Sequence, residues 1–206
     1  MNICAIVETR KLPNIRAIAE NHVMYSGFKP MVFHGHNNEQ HIQDELNGID
    51  CLFGNIGVNE LTASGYNRLL TSNFFWNCIP SENVLIFQHD SLLLRTGIEE
   101  YMQYDFIGAP IGHIQFPCMN GGLSLRKKSK MMQVIAAIKY NEGLHGNEDM
   151  FFCNAIKDIG GNLPTKEIAQ SFSVETIFGL GSMGVHAIEK YLTNDQCSEI
   201  LNQYNG

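Results

Sequence analysis

The sequence has few charged side chains, and positively charged ones are the scarcer kind. Charged residues make up 17% of the 206 positions, and 14 Lys and Arg stand against 21 Asp and Glu, so the formal net charge is −7. Sequence-independent binding to nucleic acid depends on clustered positive charge. This balance argues against that class of function, because the short basic cluster at residues 126–130 fits the solvated start of a helix equally well.

Paired cysteine spacings are also absent. None of the six cysteines stands in a CxxC motif, which argues against a zinc knuckle or a thioredoxin-like site. Cys4 and Cys153 lie inside apolar runs, as buried thiols do in proteins of a reducing compartment. The N-terminus has no signal-peptide pattern, and no apolar run approaches the ~20 residues of a membrane span. We therefore expect a cytoplasmic protein without a membrane span.

Three common catalytic signatures are missing as well. The sequence contains no GxSxG motif and no Walker A loop, and no GxGxxG motif directly follows its first apolar run. Those motifs provide the nucleophile of α/β-hydrolases, the phosphate loop of P-loop proteins and the dinucleotide site of NAD enzymes. Their absence argues against NAD-dependent chemistry and P-loop hydrolysis.

The sequence does contain an alternation of strand and helix patterns. Residues 84–87 form an unbroken apolar run, typical of a central parallel strand, and residues 14–26 repeat apolar side chains at helical spacing. The alternation predicts an α/β fold in one domain over residues 1–206, with a mostly parallel sheet. The expected strands lie at residues 3–7, 30–34, 83–88, 106–108 and 122–126. The expected helices lie at residues 14–26, 63–73, 98–103, 129–139, 147–159 and 193–204, with loops at 54–57 and 111–120.

Asp90 stands just after the predicted strand 83–88. Ligands of open α/β sheets gather at the carboxyl ends of the strands, where a carboxylate can hold a hard divalent cation. The neighbouring His89 is a candidate second ligand. An Asp at this position also serves as a cap or turn former, and a His as a hydrogen-bonded structural residue, so both interpretations stay open.

Glu148 and Asp149 begin the predicted helix 147–159. Acidic side chains in a first turn stabilise the helix through its dipole, but Asn147 can already supply the cap. Two consecutive acids exceed what capping requires, so a general base or a substrate-binding carboxylate is an equally good interpretation.

His186 and the pair Gly121-Gly122 are further candidates. His186 lies in a glycine-rich segment near the end of the sequence, predicted to be a flexible loop. An imidazole there can bind a divalent metal or contact phosphate, or it can be an ordinary surface residue. Gly121 and Gly122 precede a predicted strand, where a missing side chain lets a ligand approach the backbone, although tight turns use the same dipeptide.

Taken in order, these segments resemble a glycosyltransferase of the GT-A type. More closely, they look like a small glycosyltransferase-like family of compact enzymes found in large DNA viruses and bacteria. The resemblance covers nearly the whole chain and implies a GT-A-like domain with a central, mostly parallel mixed sheet flanked by helices. The segments that carry it are residues 84–95, 104–110, 120–126, 148–152, 172–175 and 184–186.

The resemblance implies a metal site for Mn²⁺ or Mg²⁺. Asp90 would correspond to the last Asp of the GT-A DxD motif, which binds the cation and, through it, the donor diphosphate. Gln88 stands where the motif has its first Asp, and this departure makes metal dependence less secure. His186 matches the C-terminal His that adds a metal or diphosphate contact.

The resemblance also implies residues for the donor and for catalysis. Asp149, with Glu148 beside it, matches the acidic pair from which inverting enzymes take the base that deprotonates the acceptor hydroxyl. The expected donor-binding residues, by their place in such a fold, are Glu8, Thr9, Arg10, Tyr66, Arg68, Gln88, His89, Gly121 and Gly122.

The combined interpretation is a glycosyltransferase, of the hexosyl or deoxyhexosyl class. It would move a sugar from a nucleotide-sugar donor, a UDP-sugar, to a glycan hydroxyl with inversion and with a bound metal. Its partners would be the donor and the acceptor, and no nucleic acid. Two alternatives stay open: a degenerate GT-A module that binds a nucleotide or glycan without turnover, and a metal-dependent phosphoesterase.

Overall fold

A computed structural model of the chain describes residues 1–203. The strands are β1 (Ile3–Glu8), β2 (Lys29–His34), β3 (Leu52–Asn55), β4 (Asn83–Phe87), β5 (Ser91–Leu93), β6 (Phe106–Pro110), β7 (Met119–Lys127), β8 (Ser173–Val174) and β9 (Gly184–His186). The α-helices are α1 (Ile15–Ser26), α2 (Glu39–Glu45), α3 (Ala63–Leu70), α4 (Asn73–Cys78), α5 (Lys128–Ala137), α6 (Glu142–His145), α7 (Glu148–Asp158), α8 (Lys166–Phe172) and α9 (Asn194–Asn202). Short 3-10 helices lie at Ile98–Tyr101 and Ile188–Lys190.

The central sheet has six strands in the order β3-β2-β1-β4-β7-β6. The first four strands of this order are parallel, and β7 runs antiparallel to both of its neighbours. The middle strands are buried along almost their whole length, as expected for a sheet that is flanked by helices. The predicted mixed α/β fold, with a central, mostly parallel sheet, is therefore confirmed.

A second sheet of three strands, in the order β5-β9-β8, lies beside the end of β4. Strand β5 follows β4 after only three residues, so the turn at residues 88–90 joins the two sheets. Strand β9 pairs antiparallel with β5, and the register puts His186 opposite Ser91. This pairing brings the C-terminal part of the chain to the carboxyl end of β4.

Several local predictions were wrong, and tertiary pairing explains most of the differences. Gly54 and Asn55, predicted in a loop, end β3, because Gly54 packs directly against the ring of Phe33 on β2. The segment with His186, predicted as a flexible loop, is strand β9. The predicted helix 63–73 ends at Leu70, where Thr71 and Ser72 bond back to the last turn and Ser72 caps α4.

The remaining differences concern element ends. Met119 and Asn120, predicted in a loop, belong to β7, and residues 98–101 form a 3-10 helix rather than a helix to 103. The predicted terminal helix 193–204 is α9 over Asn194–Asn202, and its last predicted residue, Tyr204, lies outside the described residues. No helix within residues 1–203 has the length and apolar character needed to cross a membrane.

Candidate functional site

The larger cleft lies where the sheet order reverses. The chain runs outward from β1 to β3 and then returns to β4 on the other side of β1, and such a reversal leaves a crevice at the carboxyl ends of the strands. A cleft of about 560 Å³ occupies this crevice. It is lined by Val7, Glu8, Thr9, Arg10, Asn37, Asn59, Glu60, Leu61, Thr62, Ala63, Tyr66, Gln88 and His89.

A charged pair lies at one end of this cleft. Arg10 donates hydrogen bonds from its backbone N–H and Nε to Glu8 Oε1, both at 2.8 Å, and from Nη2 to Glu8 Oε2 at 2.6 Å. Asn38 is fully buried and donates to the backbone carbonyls of both residues, which fixes the loop that follows β1. The Glu8 carboxylate is buried whereas the Arg10 guanidinium is more than half exposed, so the positive group faces the cleft opening.

A smaller cleft of about 270 Å³ continues from the larger one. Ala63, Tyr66 and Gln88 line both clefts and therefore mark their junction. The hydroxyl of Tyr66 is buried and finds no hydrogen-bond partner among residues 1–203, and burial raises the pKa of this phenol. The other lining residues of the smaller cleft are Asn67, Asn120, Gly121, Gly122, Asn147, Glu148 and Asp149.

Asp149 is the carboxylate of the smaller cleft that no cation neutralises directly. Its side chain is 8% exposed and accepts hydrogen bonds from the backbone N–H of Gly121 at 3.0 Å and of Met150 at 2.7 Å. Burial, reinforced by the negative charge of Glu148, raises the pKa of Asp149 to about 6. A carboxylate with a pKa in this range can take up a proton near neutral pH.

Glu148 has a different environment, because its carboxylate is held by Arg126. The guanidinium of Arg126 is fully buried and donates to both carboxylate oxygens, at 2.6 and 2.9 Å. Its cation lies 4.7 Å from the ring centre of Phe106, and its Nε donates to Ser124. Arg126 therefore does not belong to a basic surface patch, and its ion pair with Glu148 joins β7 to α7.

Gly121 and Gly122 are needed for close packing at this point. A Cβ on Gly121 would lie 2.6 Å from both Arg126 and Glu148, and a Cβ on Gly122 would lie 2.2 Å from Nε2 of His186. Any larger residue would displace the buried ion pair or the imidazole. Both glycines also line the smaller cleft, so backbone is exposed to whatever occupies it.

Asp90, His186 and Gln88 form a polar cluster behind this junction. Nε2 of His186 lies 3.2 Å from Oδ1 of Asp90 and 3.2 Å from Oε1 of Gln88. Nδ1 of the same imidazole faces Oε1 of Glu175 at 3.1 Å, and Glu175 is buried. The antiparallel pairing of β5 with β9 creates this arrangement from residues that are far apart in the sequence.

The charges of this cluster shift the pKa values of its members. Burial alone would raise the pKa of Asp90, but hydrogen bonds from His186 and Lys190 outweigh it and hold the pKa well below its usual range. Burial would lower the pKa of His186, but Asp90 and Glu175 raise it to about 9. With no metal ion bound in the cluster, the imidazole is therefore protonated at neutral pH.

The cluster contains oxygen and nitrogen atoms of the kinds that bind divalent cations. Oδ1 of Asp90 is buried and has no well-aligned hydrogen bond from residues 1–203. Neighbouring ligand atoms of an octahedral ion bonded at about 2.1 Å lie about 3 Å apart, close to the two distances of 3.2 Å. Glu175 would hold His186 as carboxylates hold metal-binding histidines. Gln88 is a necessary part of this set, since no three His, Cys, Asp or Glu side chains of the described residues could hold a metal together.

Lys190 is a member of the cluster that the sequence did not indicate. Its Nζ donates to Oδ2 of Asp90 at 2.6 Å. The preceding turn passes through Ala187, which has a left-handed backbone with φ of 49° and donates its N–H to the carbonyl of Asp90. Non-glycine residues rarely adopt this conformation, so the turn that presents Lys190 to Asp90 is held by its surroundings. Lys190 follows His186 by four positions, and no recognised motif predicts its contact with Asp90.

The structure brings most of the predicted site residues together. Glu8, Thr9, Arg10, Gln88 and His89 line the larger cleft, and Gly121, Gly122, Glu148 and Asp149 line the smaller one. Tyr66 lies at their junction, and Asp90 with His186 lies directly behind it. Arg68 is the exception, since it lines neither cleft and instead donates to Ser64 on the exposed side of α3.

Residues 58–186, more than half of the chain, match the model of a family described as "Protein of unknown function (DUF5672)". The chain belongs to this family. The part of the chain that matches the DUF5672 family contains Glu148, Asp149 and the cluster of Asp90 and His186, but ends before Lys190 and begins after Glu8–Arg10. No curated protein has a sequence that matches this member of the family.

Solved structures resemble this DUF5672 protein in fold. The apo form of the glycosyltransferase GlyE of Streptococcus pneumoniae TIGR4 superposes with a TM-score of 0.56 at 12% identity, over 94% of this chain and 55% of that chain. Residues 1–349 of TarS of S. aureus, in complex with UDP, superpose with a TM-score of 0.48 at 13% identity, over 75% of this chain and 55% of that chain. The chain thus spans about half the length of the solved structures that it matches, and the likeness to GlyE supports the fold.

Proposed function

We propose that this protein is a glycosyltransferase that moves a sugar from a nucleotide-sugar donor to a hydroxyl group of a glycan. The donor is a UDP-sugar, and the transfer inverts the configuration of the sugar. The observation that carries the proposal is the pair of connected clefts at the carboxyl ends of β1 and β4, with Asp149 in the lining of the smaller cleft.

The sizes and linings of the clefts suit the two parts of such a donor. The larger cleft, about 560 Å³, has room for a nucleoside and is lined by amides, hydroxyls and the Glu8–Arg10 pair. The smaller cleft, about 270 Å³, has room for one sugar and is lined by amides, glycine backbone and carboxylates. A donor that spans both clefts puts its diphosphate at their junction, beside Gln88. GlyE, which shares the fold, is named a glycosyltransferase.

Asp149 is the residue that we propose as the base. Its oxygens lie at the wall of the smaller cleft, and a pKa of about 6 leaves it mostly ionised at neutral pH and able to accept the proton of an acceptor hydroxyl. Glu148 is fully engaged by Arg126, so its role is to hold α7 against β7 and to raise the pKa of Asp149. An inverting displacement needs the base and the leaving group on opposite sides of the sugar, and Asp149 and Gln88 come from different elements, the start of α7 and the turn after β4.

Asp90, His186 and Gln88 are the residues that would hold a Mn²⁺ or Mg²⁺ ion. A divalent cation bound there supplies positive charge that stabilises a departing nucleoside diphosphate. Lys190 and Arg10 supply further positive charge from the protein itself, since Lys190 contacts Asp90 and the charge of Asp90 acts on Arg10.

A second candidate is a module that binds a nucleotide without transferring a sugar. The observation in its favour is that Lys190 already neutralises one oxygen of Asp90. In addition, Gln88 stands where the GT-A DxD motif has its first Asp. Such a module would bind UDP and UDP-sugars alike, and it would release no UDP from a donor in the presence of any acceptor.

Thermal unfolding with a panel of nucleotides and UDP-sugars, with Mn²⁺ or with EDTA, tests the proposal. A ligand at one hundred times its Kd stabilises by about 2.7 kcal/mol, which for a chain of this size raises Tm by about 5–10 °C. A metal-dependent rise with a UDP-sugar, followed by release of UDP when glycan acceptors are added, supports transfer. A rise without release supports the binding module, and no rise with any nucleotide contradicts both.

A further inference from the structure

The walls of the smaller cleft present amides and carboxylates but no cation. Its lining includes the side-chain amides of Asn67, Gln88, Asn120 and Asn147, two glycines, and the carboxylates of Glu148 and Asp149. No Lys, Arg or His is part of that lining. Whatever occupies the cleft therefore meets neutral dipoles and negative charge.

Arg126 lies behind the glycine wall, but its charge is already compensated. It is fully buried, and both of its terminal nitrogens donate to the Glu148 carboxylate. Its Nη2 also donates to the carbonyl of Gly121 at 3.3 Å. A guanidinium engaged in this way cannot turn towards a ligand without breaking a buried ion pair, so it offers no binding site for an anion.

His186 is the second cation behind this wall, and it is compensated as well. The imidazole packs against Gly122 and lies between two carboxylates, Asp90 and Glu175. Lys190 is a further cation of this cluster, through its ion pair with Asp90. Arg126 balances Glu148, and His186 with Lys190 balances Asp90 and Glu175. The charge that remains on the cleft is therefore the one on Asp149.

The lining can nevertheless bind hydroxyl groups. Oδ1 of Asn120 accepts the N–H of Gly122, and Oδ1 of Asn147 accepts from Asn67, which leaves the Nδ2 groups of Asn120 and Asn147 with no acceptor among residues 1–203. These two N–H donors and the oxygens of Asp149 can pair with the oxygens and hydrogens of sugar hydroxyls.

From this arrangement we propose that the sugar bound in the smaller cleft is uncharged, a neutral hexose, deoxyhexose or N-acetylhexosamine, and that uronic acids and other anionic sugars are rejected. The inference rests on the proposed function and deepens it. Like charges in a confined site repel strongly, because the protein and the sugar displace the water that would screen them. Neutral amide donors do not offset such a repulsion.

The experiment compares sugars that differ only in the oxidation of C6. The affinities of UDP-glucose and UDP-glucuronate, and of UDP-galactose and UDP-galacturonate, are measured by calorimetry at pH 8 with Mn²⁺, with UDP as the common reference. The variant Asp149→Asn removes the repelling charge. Asp158→Asn, an exposed position on the same helix, is the matched control.

We expect each uronate donor to bind at least about tenfold more weakly than its neutral partner in the wild type and in Asp158→Asn. In Asp149→Asn the difference should shrink to less than about threefold, because the repulsion is gone while the clefts are unchanged. The comparison in the wild type stands even where a variant does not fold.

Uronate donors that bind as tightly as neutral ones, with UDP also bound, overturn this inference and leave the proposed function intact. A difference that persists unchanged in Asp149→Asn also overturns it, since the charge of Asp149 is then not its cause. If UDP and all four donors fail to bind, the proposed function falls and the inference falls with it.

Discussion

The environment of Asp149 disfavours the ionised form of its carboxyl group. It is buried, it lies next to Glu148, and its pKa is raised to about 6. The folded protein therefore holds a proton on Asp149 up to a higher pH than the unfolded chain does. The burial of Asp149 therefore lowers the free energy of unfolding. This loss increases as the pH rises from about 4 to about 6 and is constant above that range. A carboxylate retained at such a cost is more often functional than structural.

Transfer should depend on the ionised form of Asp149. We expect kcat/KM to fall about tenfold for each pH unit below about 6, as the carboxylate takes up a proton. The variant Asp149→Asn should lose about 10²–10⁴-fold in transfer at pH 8 while it keeps its affinity for UDP. Initial rates from pH 5 to 8, with Asp158→Asn as the control, measure both effects. Full activity in Asp149→Asn would mean that another group is the base.

Asp90 should be needed for the metal-dependent part of donor binding. The variant Asp90→Asn removes the carboxylate that lies with Gln88 around Nε2 of His186. We expect the Mn²⁺-dependent rise in Tm with UDP to disappear, whereas any rise that persists in EDTA should remain. Thermal unfolding of both proteins, with and without EDTA, measures this. A wild-type response in Asp90→Asn would place the ion elsewhere.

Strand β7 joins the smaller cleft and the cluster of Asp90 and His186 to α7, because its two glycines and Arg126 pack against residues of both. Gly122 leaves room for the imidazole of His186, and Arg126 holds Glu148 at the start of α7. Changes within this one strand should therefore disturb Asp149 and the cluster of Asp90 and His186 through packing alone.

Gly122→Ala tests the close packing of β7 against β9. Its Cβ would lie 2.2 Å from the imidazole, so the ring has to move. We expect a loss of about 1–3 kcal/mol, or about 2–4 °C in Tm for each kcal/mol, together with a loss of the metal-dependent response. Gly143→Ala is the control, since its Cβ meets one atom at 3.4 Å and its backbone has no left-handed φ. Equal Tm values for the two variants would contradict the packing argument.

Arg126→Met tests the ion pair between β7 and α7. It leaves the buried Glu148 carboxylate without its partner, which costs about 3–5 kcal/mol. The double variant Arg126→Met with Glu148→Gln should recover part of this loss, because the uncompensated charge is gone. Urea unfolding at pH 7 provides the free energies. A single variant as stable as the wild type would show that Glu148 finds another partner.

Elements with strong local patterns were predictable, whereas those that depend on pairing were not. The unbroken apolar run of β4 and the helical spacing in α1 are local patterns that determine the type of element without distant contacts. The predicted strand and the predicted helix are both confirmed. Strand β9 has three residues and exists because it pairs with β5, which no local pattern reveals. The same holds for Lys190, whose contact with Asp90 follows from that pairing.

At the scale of the whole molecule, the burial of each cysteine determines whether its thiol is protected by the core. Cys4, Cys118, Cys153 and Cys197 are buried, Cys51 is half-buried and Cys78 is exposed, and all six are free. Burial raises the pKa of Cys4 to about 12, so its reactive thiolate is scarce in the folded state.

Thiol labelling at pH 8 should therefore proceed in two phases. We expect Cys78 to react at once in the native protein, and the buried cysteines to react only when the chain unfolds, as protection by the core requires. A colorimetric thiol count with and without denaturant, followed by mass spectrometry, assigns each step. Rapid reaction of Cys4 or Cys153 in the native protein would contradict the packing of the central sheet.

The pairing of β5 with β9 also has a consequence for the time course of synthesis. His186 contacts Gln88 across 98 residues, and Lys190 contacts Asp90 across 100 residues. A ribosome that has completed β7 has already made every strand of the six-stranded sheet, but the nascent chain still lacks the imidazole and the ammonium group of the cluster. The six-stranded sheet can thus form during translation, whereas the cluster around Asp90 is complete only after residues 184–190 have left the exit tunnel and β9 has paired with β5.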